Sequence, residues 1–569
     1  MILNNFFILK RTLNFIPKSA KYLLRSSSVW THDNIIKSPY KDVEIPNCTL
    51  SEYVWQNLDK WAEKTAIVCA HTGRSYTYEQ AFRRSNTFAA NLRKKLNIRN
   101  GDVVAVMLPN LPEYPIVTLG ILEAGAVMTS INPAYTAHEV QRQLLLSEAK
   151  IIVALPQVLK VVKDALLLAK KNLPIITVKI NDEPIPEGTI LFNELTEDLS
   201  VDVSILKEIK RDPNEICFLP FSSGTTGLPK GVELSHRNIT VNGEQVNDPL
   251  IRCHNDTTAT HQDRVIVVLP FYHVYAASVL MFHKLSLGLQ LVTVTKFQPE
   301  AFFGTIEQYK TNLIFVAPPL LLLMGSHPAA TEKTLQYVET IVNGAAPVSD
   351  TDVFRVFEKA KRKLDFRQGY GLTETAPAIT LTPLNADKTY TRAGPPIPNT
   401  DLRIVDPDTL KNLGVNETGE ILVRGPQVTR GYRNNPEANK EAFVDGWFRT
   451  GDLAVADNDG DITIMDRLKD LIKVKGYQVP PAELEAVLRE HPSVRDSAVI
   501  GVPHAVNGEA PKAFVVLKQG YNNPAKEISE FVKQRVAPYK RVDDIVFIDS
   551  IPKNTSGKIL RKELKKNYC

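Results

Sequence analysis

Residues 220–236 read PFSSGTTGLPKGVELSH, and this stretch indicates both the fold and the chemistry of the chain. It directly follows the apolar residues 216–219, which are typical of a buried strand. Glycine lets the backbone approach a ligand closely, and consecutive N–H groups in such a turn form an anion-binding concavity. The hydroxyl groups add donors for phosphate oxygens and ligands for a metal, while Lys230 supplies a positive charge. The pattern predicts a phosphate-binding loop at the end of a strand.

One other interpretation of this stretch stays open. Gly, Ser and Thr are ordinary loop residues, so a flexible surface turn has a similar composition. The Walker loop is excluded, because Pro229 rather than Gly precedes Lys230 and because Gly231 stands where Ser or Thr is required. Support for phosphate binding must therefore come from the rest of the chain.

Length and composition are those of an ordinary globular protein. With 569 residues the chain exceeds one usual core and should divide into at least two domains. A net charge of +5 is mild for this size and gives no support for a nucleic-acid partner. The five cysteines are scattered without a CxxC pair, which argues against a disulfide framework or a zinc site and favours a reducing compartment. No apolar run is long enough to span a bilayer, so no transmembrane segment is expected.

The first residues of the chain have a different character. Residues 1–32 are basic and contain no acidic residue, and apolar residues are interleaved with the lysines and arginines. This composition is typical of a mitochondrial transit peptide, although a disordered tail or a membrane-surface helix has a similar pattern. The C-terminal residues NYC do not form a peroxisomal SKL-type signal. We therefore predict a mitochondrial location, with the cytoplasm as the alternative.

From about residue 45 the chain alternates between strand and helix patterns. TAIVCA at residues 65–70 and VVAVML at 103–108 are typical of buried strands, and residues 78–96 between them form an amphipathic helical pattern. The alternation continues through RVIVVLP, LQLVTV and NLIFVAP, so much of the sheet should be parallel. Shorter strands with many turns begin near residue 400, and a small segment follows Asp466. The prediction is an α/β fold with a large N-terminal domain of αβ sheets, a β-rich subdomain and a small α+β C-terminal domain.

Three further clusters contain polar residues suited to nucleotide chemistry. In QGYGLTETAP, Glu374 stands beside hydroxyl groups in a glycine-rich segment, and Mg²⁺ prefers oxygen ligands together with substrate phosphates. In WFRTGDLA, Asp452 suits a ribose diol, although an Asx turn alone would explain it. In IPKNTSGKILRKEL, Lys558 follows a Ser-Gly turn, where a lone lysine is normally a solvated surface charge.

Taken in this order and spacing, the motifs resemble those of the adenylate-forming acyl-CoA synthetases, a family that includes plant 4-coumarate:CoA ligases and firefly luciferase. The resemblance extends from about residue 45 to 565 and covers SSGTTGLPKG, NGAAPVS, QGYGLTE, FRTGDLA, DRLKDLIKVKGYQVPPAELE and PKNTSGKILRK. It implies the adenylate-forming enzyme fold, with an AMP-binding domain at residues 45–465, a hinge at 466–470 and a mobile C-terminal domain at 471–569. It also implies an AMP-forming acid–thiol ligase that uses ATP, Mg²⁺ and coenzyme A.

The resemblance assigns roles to residues of the nucleotide site. Thr225 and Glu374 are expected to bind Mg²⁺, and Asp452 the ribose hydroxyls. Lys558 is expected to bridge the carboxylate and the α-phosphate during adenylation, where it counters their repulsion. The residues expected to line the ATP or AMP site are Ser222, Ser223, Gly224, Thr225, Thr226, Gly227, Lys230, Gly344, Ala345, Ala346, Gln368, Gly369, Tyr370, Gly371, Thr373, Asp452 and Arg467.

The segment after Asp466 is assigned to the second half-reaction. Alternation in residues 472–475 turns the two lysines to the face opposite the apolar residues, which by itself fits a solvated face of a structural hairpin. By resemblance, the small domain swings about Lys469. The rotation withdraws Lys558 and presents Lys473 to thioester formation, with Lys475 and Gly476 at the coenzyme A site.

The acyl site is predicted from the segment LPFYHVYAASV. By resemblance, His273 lies between the acyl pocket and the pantetheine tunnel, and Tyr275, Ser278 and Val279 line the pocket. No Asp or Glu occurs between residues 265 and 299, so an anchor for a substrate ammonium group is absent from this segment. The pocket therefore suits an apolar acid. We predict a medium- or long-chain fatty acid, with an aryl-propenoate:CoA ligase or a luciferase-type monooxygenase as the alternatives.

Two other classes of protein fit the sequence less well. An adenylation domain of a peptide synthetase would normally be followed by a carrier domain. A non-catalytic binding homologue would be expected to lose Lys558, Glu374 or Asp452, and all three are present. The predicted partners are therefore a small carboxylic acid and coenzyme A.

Overall fold

The described part of the chain begins at residue 29. The computed structural model describes residues 29–180, 184–198, 200–222, 229–345, 348, 350–384, 389–467, 472–475, 477–479, 481–521, 524–542, 544–552 and 561–568. The indole Nε1 of Trp30 donates to the Asp457 carbonyl (2.9 Å), and the Lys37 N–H donates to the Val29 carbonyl (2.8 Å). The transit peptide predicted from residues 1–32 remains a prediction. Because Val29 and Trp30 form contacts with the rest of the fold, a truncation that tests the transit peptide should remove residues 1–28 only.

Two mainly parallel sheets form the large N-terminal part, and in each a central block of six strands is parallel. The first sheet, in spatial order, contains Leu234–Ser235, Ile216–Phe218, Val127–Ser130, Val103–Met107, Ile151–Ala154, Ile175–Thr177 and Ile190–Leu191. The second contains Ala378–Leu381, Asp365–Gly371, Thr340–Asn343, Leu313–Val316, Arg264–Val267, Gln290–Thr293, Thr65–Cys69 and Ser75–Thr77.

The predicted strands are present, but neighbouring ones divide between the two sheets. Thr65–Cys69 lies in the second sheet and Val103–Met107 in the first, although a single helix, Tyr78–Lys94, joins them. That helix begins where Thr77 and Gln80 form a capping box. Local alternation predicts strands and helices but does not specify which strands become neighbours, so only the structure separates the two sheets.

Helices cover the sheets and bury their apolar faces. Those of the large part are Leu50–Trp55, Leu58–Trp61, Tyr78–Lys94, Glu113–Glu123, Ala137–Ser147, Leu159–Ala169, Phe192–Thr196, His236–Gln245, His283–Ser286, Pro299–Tyr309, Pro318–Ser326, Glu332–Leu335, Asp350–Ala360 and Pro436–Ala442, with a π-helix at Tyr275–Phe282. Short 3₁₀ turns occur at Pro156–Val158, Val203–Glu208, Thr373–Thr375 and Pro538–Lys540. Among the helices that the structure describes, none has the length and apolar character needed to cross a bilayer.

A third, antiparallel sheet forms the β-rich part. Its strands are Ile35–Lys37, Asp401–Val405, Gly419–Arg424, Trp447–Ala456 and Phe443–Val444, with Ile462–Arg467 paired to Trp447–Ala456. A separate two-stranded ladder joins Phe221–Ser222 to Lys230–Gly231. The β-rich style that the sequence shows near residue 400 corresponds to this third sheet.

The C-terminal part has its own sheet and core. Its strands are Tyr477–Val479, Ile472–Val474, Gly508–Leu517 and Val494–His504, with Asp544–Phe547 paired to Gly508–Leu517, and its helices are Pro481–Arg489, Ala525–Lys533 and Arg561–Tyr568. Ile472 and Val474 are buried while Lys473 is exposed, as alternation predicts. The α/β class, with a large N-terminal and a small C-terminal domain, is confirmed. Residues 468–470 of the predicted hinge, with Lys469, lie outside the described ranges.

Candidate active site

The candidate site lies at the carboxyl edge of the second sheet, where parallel strands commonly end at a ligand. Thr340–Asn343 ends beside Gly344, and Asp365–Gly371 leads into the turn that carries Thr373 and Glu374. Asn343 Nδ2 donates to Gln368 Oε1 (3.0 Å), so the ends of these two strands are joined by their side chains. The start of the predicted segment NGAAPVS therefore lies beside the start of QGYGLTE.

Both ends of the phosphate-binding loop are part of the site. Ser222 pairs with Lys230 in the two-stranded ladder, which brings the ends of the loop together. The Ser222 hydroxyl donates to Oε1 of Glu374 (2.7 Å), which links the loop to the second sheet. Five of the predicted loop residues lie outside the described ranges, and their roles remain predictions: Ser223, Gly224, Thr225, Thr226 and Gly227.

Glu374 is the buried carboxylate around which this end of the site is organised. Its Oε1 accepts from Ser222 and also from the hydroxyl group of Tyr432 (3.0 Å). Lys230 Nζ lies 4.8 Å from the centre of the Tyr432 ring, within the range of a cation–π contact. Desolvation lowers the pKa of Lys230, while the carboxylates of Glu441 and Glu374 oppose that shift. Burial and the neighbouring Glu374 charge raise the pKa of Tyr432, so its hydroxyl group stays a donor.

The arrangement around Glu374 fits a magnesium ion shared with a nucleotide. Both protein hydrogen bonds fall on Oε1, and among the described residues none donates to Oε2. No group of three His, Cys, Asp or Glu side chains that could hold a metal occurs in the described part of the chain. Since Mg²⁺ is usually bound by one or two carboxylates together with substrate phosphates, a single well-held carboxylate fits it.

Asp452 lies in the strand Trp447–Ala456 and is buried. Tyr370 donates its hydroxyl group to Asp452 Oδ2 (2.8 Å), and the Asp452 N–H donates to Thr450 Oγ1 (3.1 Å). The strand register places Arg467 directly opposite Asp452. The alternative of a plain Asx turn is therefore wrong, because Asp452 continues a strand and its carboxylate accepts from a residue of the second sheet. The geometry brings the predicted residues Tyr370, Asp452 and Arg467 together.

Two glycines of the site allow close approach of backbone and ring. A Cβ atom on Gly344 would lie 2.9 Å from Cε1 of Tyr275, and one on Gly371 would lie 1.9 Å from the Pro377 carbonyl oxygen. Ala345 adopts a left-handed backbone with φ of 68°, which opens the turn after Gly344. Ala346, the next predicted residue, lies outside the described ranges, and Gly369 continues the strand Asp365–Gly371.

The predicted acyl residues surround the start of a π-helix. The side chain of His273 is exposed, yet the protein atoms that surround it lower its pKa, which favours the neutral ring. The Tyr275 hydroxyl donates to the Val342 carbonyl (3.3 Å), and its ring meets Phe315 edge-on, 6.4 Å between centroids. Val279 is half-buried, and Ser278 is buried with no hydrogen-bond partner for its hydroxyl group among the described residues.

The lysines assigned to the second half-reaction lie beside an aromatic stack. Lys473 and Lys475 are exposed at the hairpin that precedes Tyr477. Tyr477 stacks on Tyr539 with 3.8 Å between ring centres and an interplanar angle of 15°. Burial raises the pKa of Tyr272, and the hydroxyl groups of Tyr477 and Tyr539 add to this shift. This segment of the C-terminal domain therefore faces the residue that precedes His273. Gly476 and Lys558 lie outside the described ranges.

A second group of contacts, which we call the docking clasp, holds the two domains together. Lys540 Nζ lies 3.1 Å from Glu139 Oε1, and both side chains are buried. Thr136 Oγ1 donates to the Arg535 carbonyl (2.6 Å), and Asn132 Nδ2 donates to the Tyr539 hydroxyl group (3.2 Å). The docking clasp consists of these residues. Like Tyr432, it could not be found from sequence, because its partners are hundreds of positions apart and follow no local pattern.

Comparisons with known proteins agree with this geometry over nearly the whole chain. The AMP-binding enzyme family matches residues 54–433, and the AMP-binding enzyme C-terminal domain matches residues 483–558. The chain is 36% identical to 4-coumarate–CoA ligase 1 of Petroselinum crispum over 545 residues, which cover 94% of this chain and 96% of that protein. It is 35% identical to 4-coumarate–CoA ligase 1 of Arabidopsis thaliana over 546 residues, covering 94% and 95%.

Solved structures show the same fold. ATP-bound MatB from Rhodopseudomonas palustris is 28% identical, with a TM-score of 0.66 over 92% of this chain and 99% of that one. A double mutant of o-succinylbenzoate CoA synthetase (MenE) from Bacillus subtilis, bound to its product analogue OSB-NCoA, is 25% identical, with a TM-score of 0.74 over 92% and 99%.

Proposed function

Because the chain belongs to the AMP-binding enzyme family and is an AMP-forming acid–thiol ligase, we propose that it activates an apolar carboxylic acid with Mg-ATP and transfers the acyl group to coenzyme A. The observation that carries the proposal is the position of two buried carboxylates at one sheet edge. Glu374 is tied to the phosphate-binding loop through Ser222, and Asp452 is tied to the same edge through Tyr370. One suits the phosphate end of a nucleotide and the other its ribose.

In the first step a carboxylate oxygen of the acid attacks the α-phosphorus of ATP, and pyrophosphate leaves. The step brings two anions together, so fixed positive charge and N–H dipoles must face the phosphates. Lys230 supplies charge at one end of the loop, where burial keeps water from screening it fully. Glu374 would hold Mg²⁺, which when bound neutralises part of the phosphate charge. Lys558 is assigned to the attacking carboxylate by resemblance.

In the second step the thiol of coenzyme A releases its proton to solvent and its sulfur bonds to the acyl carbon, while AMP leaves with the electrons of the broken C–O bond. A neutral His273 at the entrance adds no permanent charge to the path of the thiol. Lys473 is placed in the hairpin that leads to Tyr477, and Tyr477 faces Tyr272. This orientation of the C-terminal domain suits the thioester step, so adenylation would require the domain to turn about Lys469.

The substrate is proposed to be a medium- or long-chain fatty acid. The described residues assigned to the acyl pocket include the apolar Val279 and the ring of Tyr275, which packs against Phe315. Aryl-propenoic acids are the second candidates, because the relatives at 35–36% identity are 4-coumarate–CoA ligases. Both classes offer a carboxylate on an extended apolar body.

Pyrophosphate exchange tests the proposal. ATP–pyrophosphate exchange would be measured with saturated fatty acids of graded length and with cinnamic acids, followed by AMP release on addition of coenzyme A. Glu374→Gln should lower exchange by roughly 10²–10³-fold, because it removes a charge aimed at the reacting phosphates. Glu441→Gln, the same change at an exposed position near Lys230, is the matched control. Exchange with none of the acids, or equal rates for Glu374→Gln and wild type, would contradict the assignment.

We further propose that the protein is imported into mitochondria through residues 1–28, which are basic and free of acidic residues. Truncation after residue 28 leaves the Trp30 contact intact, so the shortened protein should stay active while remaining outside the organelle. Cell fractionation measures this. Mitochondrial recovery of the truncated protein would count against the leader.

A further inference from the structure

A buried cluster of basic side chains lies next to the acyl residues. Lys284 is 1% exposed, and His254 and His283 are 7% and 2% exposed. The Lys284 ammonium nitrogen lies 3.5 Å from Nδ1 of His254 and 3.4 Å from Nδ1 of His283. The Cys253 thiol lies close enough to Lys284 to oppose the fall in the pKa of that ammonium group. We call these four residues the basic cluster.

The protonation pattern of the basic cluster follows from its geometry. An ammonium group only donates hydrogen bonds, so the ring nitrogen that faces it must be an acceptor on each histidine. The hydrogen of each neutral ring then sits on Nε2. Burial and the Lys284 charge lower the pKa of both His254 and His283 well below the usual value, in agreement with neutral rings. Burial lowers the pKa of Lys284 as well, against the effects of Cys253 and Asp263.

The two Nε2–H groups lack acceptors. Both Nε2 atoms are buried and have no hydrogen-bond partner among the described residues. Asp263, the nearby carboxylate, is already engaged by His261 (2.7 Å), by Asn312 (2.7 Å) and by the Asn255 N–H (2.7 Å). Lys284 likewise forms no ion pair within the described part of the chain. Since a buried donor without an acceptor is destabilising, the basic cluster calls for an acceptor that the described part of the chain does not supply.

The basic cluster adjoins the acyl pocket through shared residues. Lys284 Nζ lies 5.6 Å from the centre of the Phe315 ring, and Phe315 packs against Tyr275. The Cys253 thiol is close enough to Tyr275 to raise the pKa of that phenol, after the larger effect of burial. The His283 N–H donates to the Ser278 carbonyl, and the Ser278 hydroxyl group is itself buried without a partner.

We propose that the basic cluster forms the far end of the acyl site and selects acids that carry a hydrogen-bond-accepting oxygen at the end remote from the carboxylate. The inference rests on the proposed ligase function and narrows its substrate. An oxygen there accepts from the unpartnered donors, whereas a purely hydrocarbon end leaves them buried and unsatisfied. Two kinds of acid share this chemistry: an aryl-propenoic acid with a ring hydroxyl group and a fatty acid with an oxygen at its chain end.

Matched acid pairs test the inference and separate the two sources. Pyrophosphate exchange would be measured with cinnamate against 4-hydroxycinnamate and with dodecanoate against 12-hydroxydodecanoate. In the wild-type protein, kcat/KM for the oxygenated member of one pair should exceed that of its partner by roughly tenfold or more. A preference within the cinnamate pair would identify the substrate as an aryl-propenoic acid, and a preference within the dodecanoate pair would identify it as a fatty acid with an oxygen at its chain end. In Lys284→Met, which keeps the length of the side chain but removes its charge, the ratio should fall toward one.

Two further variants keep the test decisive. Lys333→Met makes the same change at an exposed lysine on the helix Glu332–Leu335 and should leave the ratio unchanged. If Lys284→Met does not fold, Lys284→Gln retains a donor and should give an intermediate ratio. Exchange with ratios near one in the wild type, or a ratio that Lys284→Met and Lys284→Gln leave intact, would overturn the inference alone. Exchange with no acid of either pair would overturn the ligase proposal together with it.

Discussion

At the scale of single residues, Tyr432 is the residue whose contribution to positioning the Glu374 carboxylate can be tested most directly. Tyr432→Phe removes one of the two donors to Oε1 and keeps the ring beneath Lys230. Hydrogen bonds to charged groups are worth about 1.5–3 kcal/mol, so the rate of pyrophosphate exchange should fall by roughly tenfold or more. Tyr521→Phe, at an exposed tyrosine, is the matched control. Equal exchange rates for Tyr432→Phe and wild type would show that Ser222 alone positions the carboxylate.

Glu374 and Asp452 could be predicted from sequence because each stands in a short motif of glycines and hydroxyl residues. Tyr432 could not, because it reaches Glu374 across 58 positions and no local pattern marks it. The basic cluster was missed for the same reason. Lys284 lies in a segment that reads as apolar, and although His283 is its neighbour in the chain, His254 reaches it from 30 positions away. Sequence motifs identify residues that lie together in one loop. Side-chain contacts between elements that are far apart in the chain can be found only from the folded structure.

At the scale of elements, the helix His236–Gln245 is tied to the helix Leu50–Trp55 by a pH-sensitive contact. Nδ1 of His236 accepts from the Leu50 N–H (3.0 Å), which requires an unprotonated nitrogen. Burial, helped by Arg211, lowers the pKa of His236 from 6.5 to about 4. Between these values the unfolded state binds a proton that the folded state does not, so the free energy of unfolding should decrease as pH falls, by at most about 3 kcal/mol.

Chemical denaturation at pH 7, 6 and 5 measures this dependence. His236→Asn offers an acceptor that does not titrate, so its free energy of unfolding should change less over this range than that of the wild type. Carboxylates elsewhere titrate in both proteins, and only the difference between the two curves reports on His236. Parallel curves for the two proteins would show that the helix contact does not depend on a neutral imidazole.

Element types were predictable where periodicity was strong, as in the helix Tyr78–Lys94 and the buried strands. The π-helix Tyr275–Phe282 was not, since its wider turn depends on i→i+5 hydrogen bonds that leave no mark in the apolar pattern. The division of the strands between two sheets likewise could not be predicted from the sequence. The helix between Thr65–Cys69 and Val103–Met107 would show the same apolar pattern whether these two strands lay in one sheet or in two.

At the scale of the whole molecule, the docking clasp predicts a separation of the two half-reactions. Lys540→Met removes the lysine that faces the buried Glu139 carboxylate, and breaking a buried ion pair in this way costs about 3–5 kcal/mol. The orientation that the clasp stabilises should become rarer, so thioester formation from a supplied acyl-adenylate should slow by tenfold or more. Single-turnover assays of each half-reaction measure this.

Two comparisons sharpen that experiment. Lys558→Ala, at a residue outside the described ranges, should have the opposite effect, with adenylation lost and thioester formation retained. Combining Lys540→Met with Glu139→Gln also removes the buried carboxylate charge and should restore part of the thioester rate. If Lys540→Met slowed both half-reactions equally while the melting temperature stayed unchanged, the clasp would have no part in domain orientation.

The docking clasp also divides the large domain into two working parts. Its contacts come from the region around the helix Ala137–Ser147, which packs on the first sheet, whereas the carboxylates and the acyl residues belong to the second and third sheets. Apart from Tyr539, which faces Tyr272, substitutions that change which acid is accepted should therefore be separated from those that govern when the small domain docks. A chimera that takes its acyl segment from a relative should accept the relative's substrates. The ratio of its adenylation rate to its thioester-formation rate should stay that of the parent chain. The same separation would let natural variants of this chain change their acid substrate while the movement of the small domain between the two half-reactions stays the same.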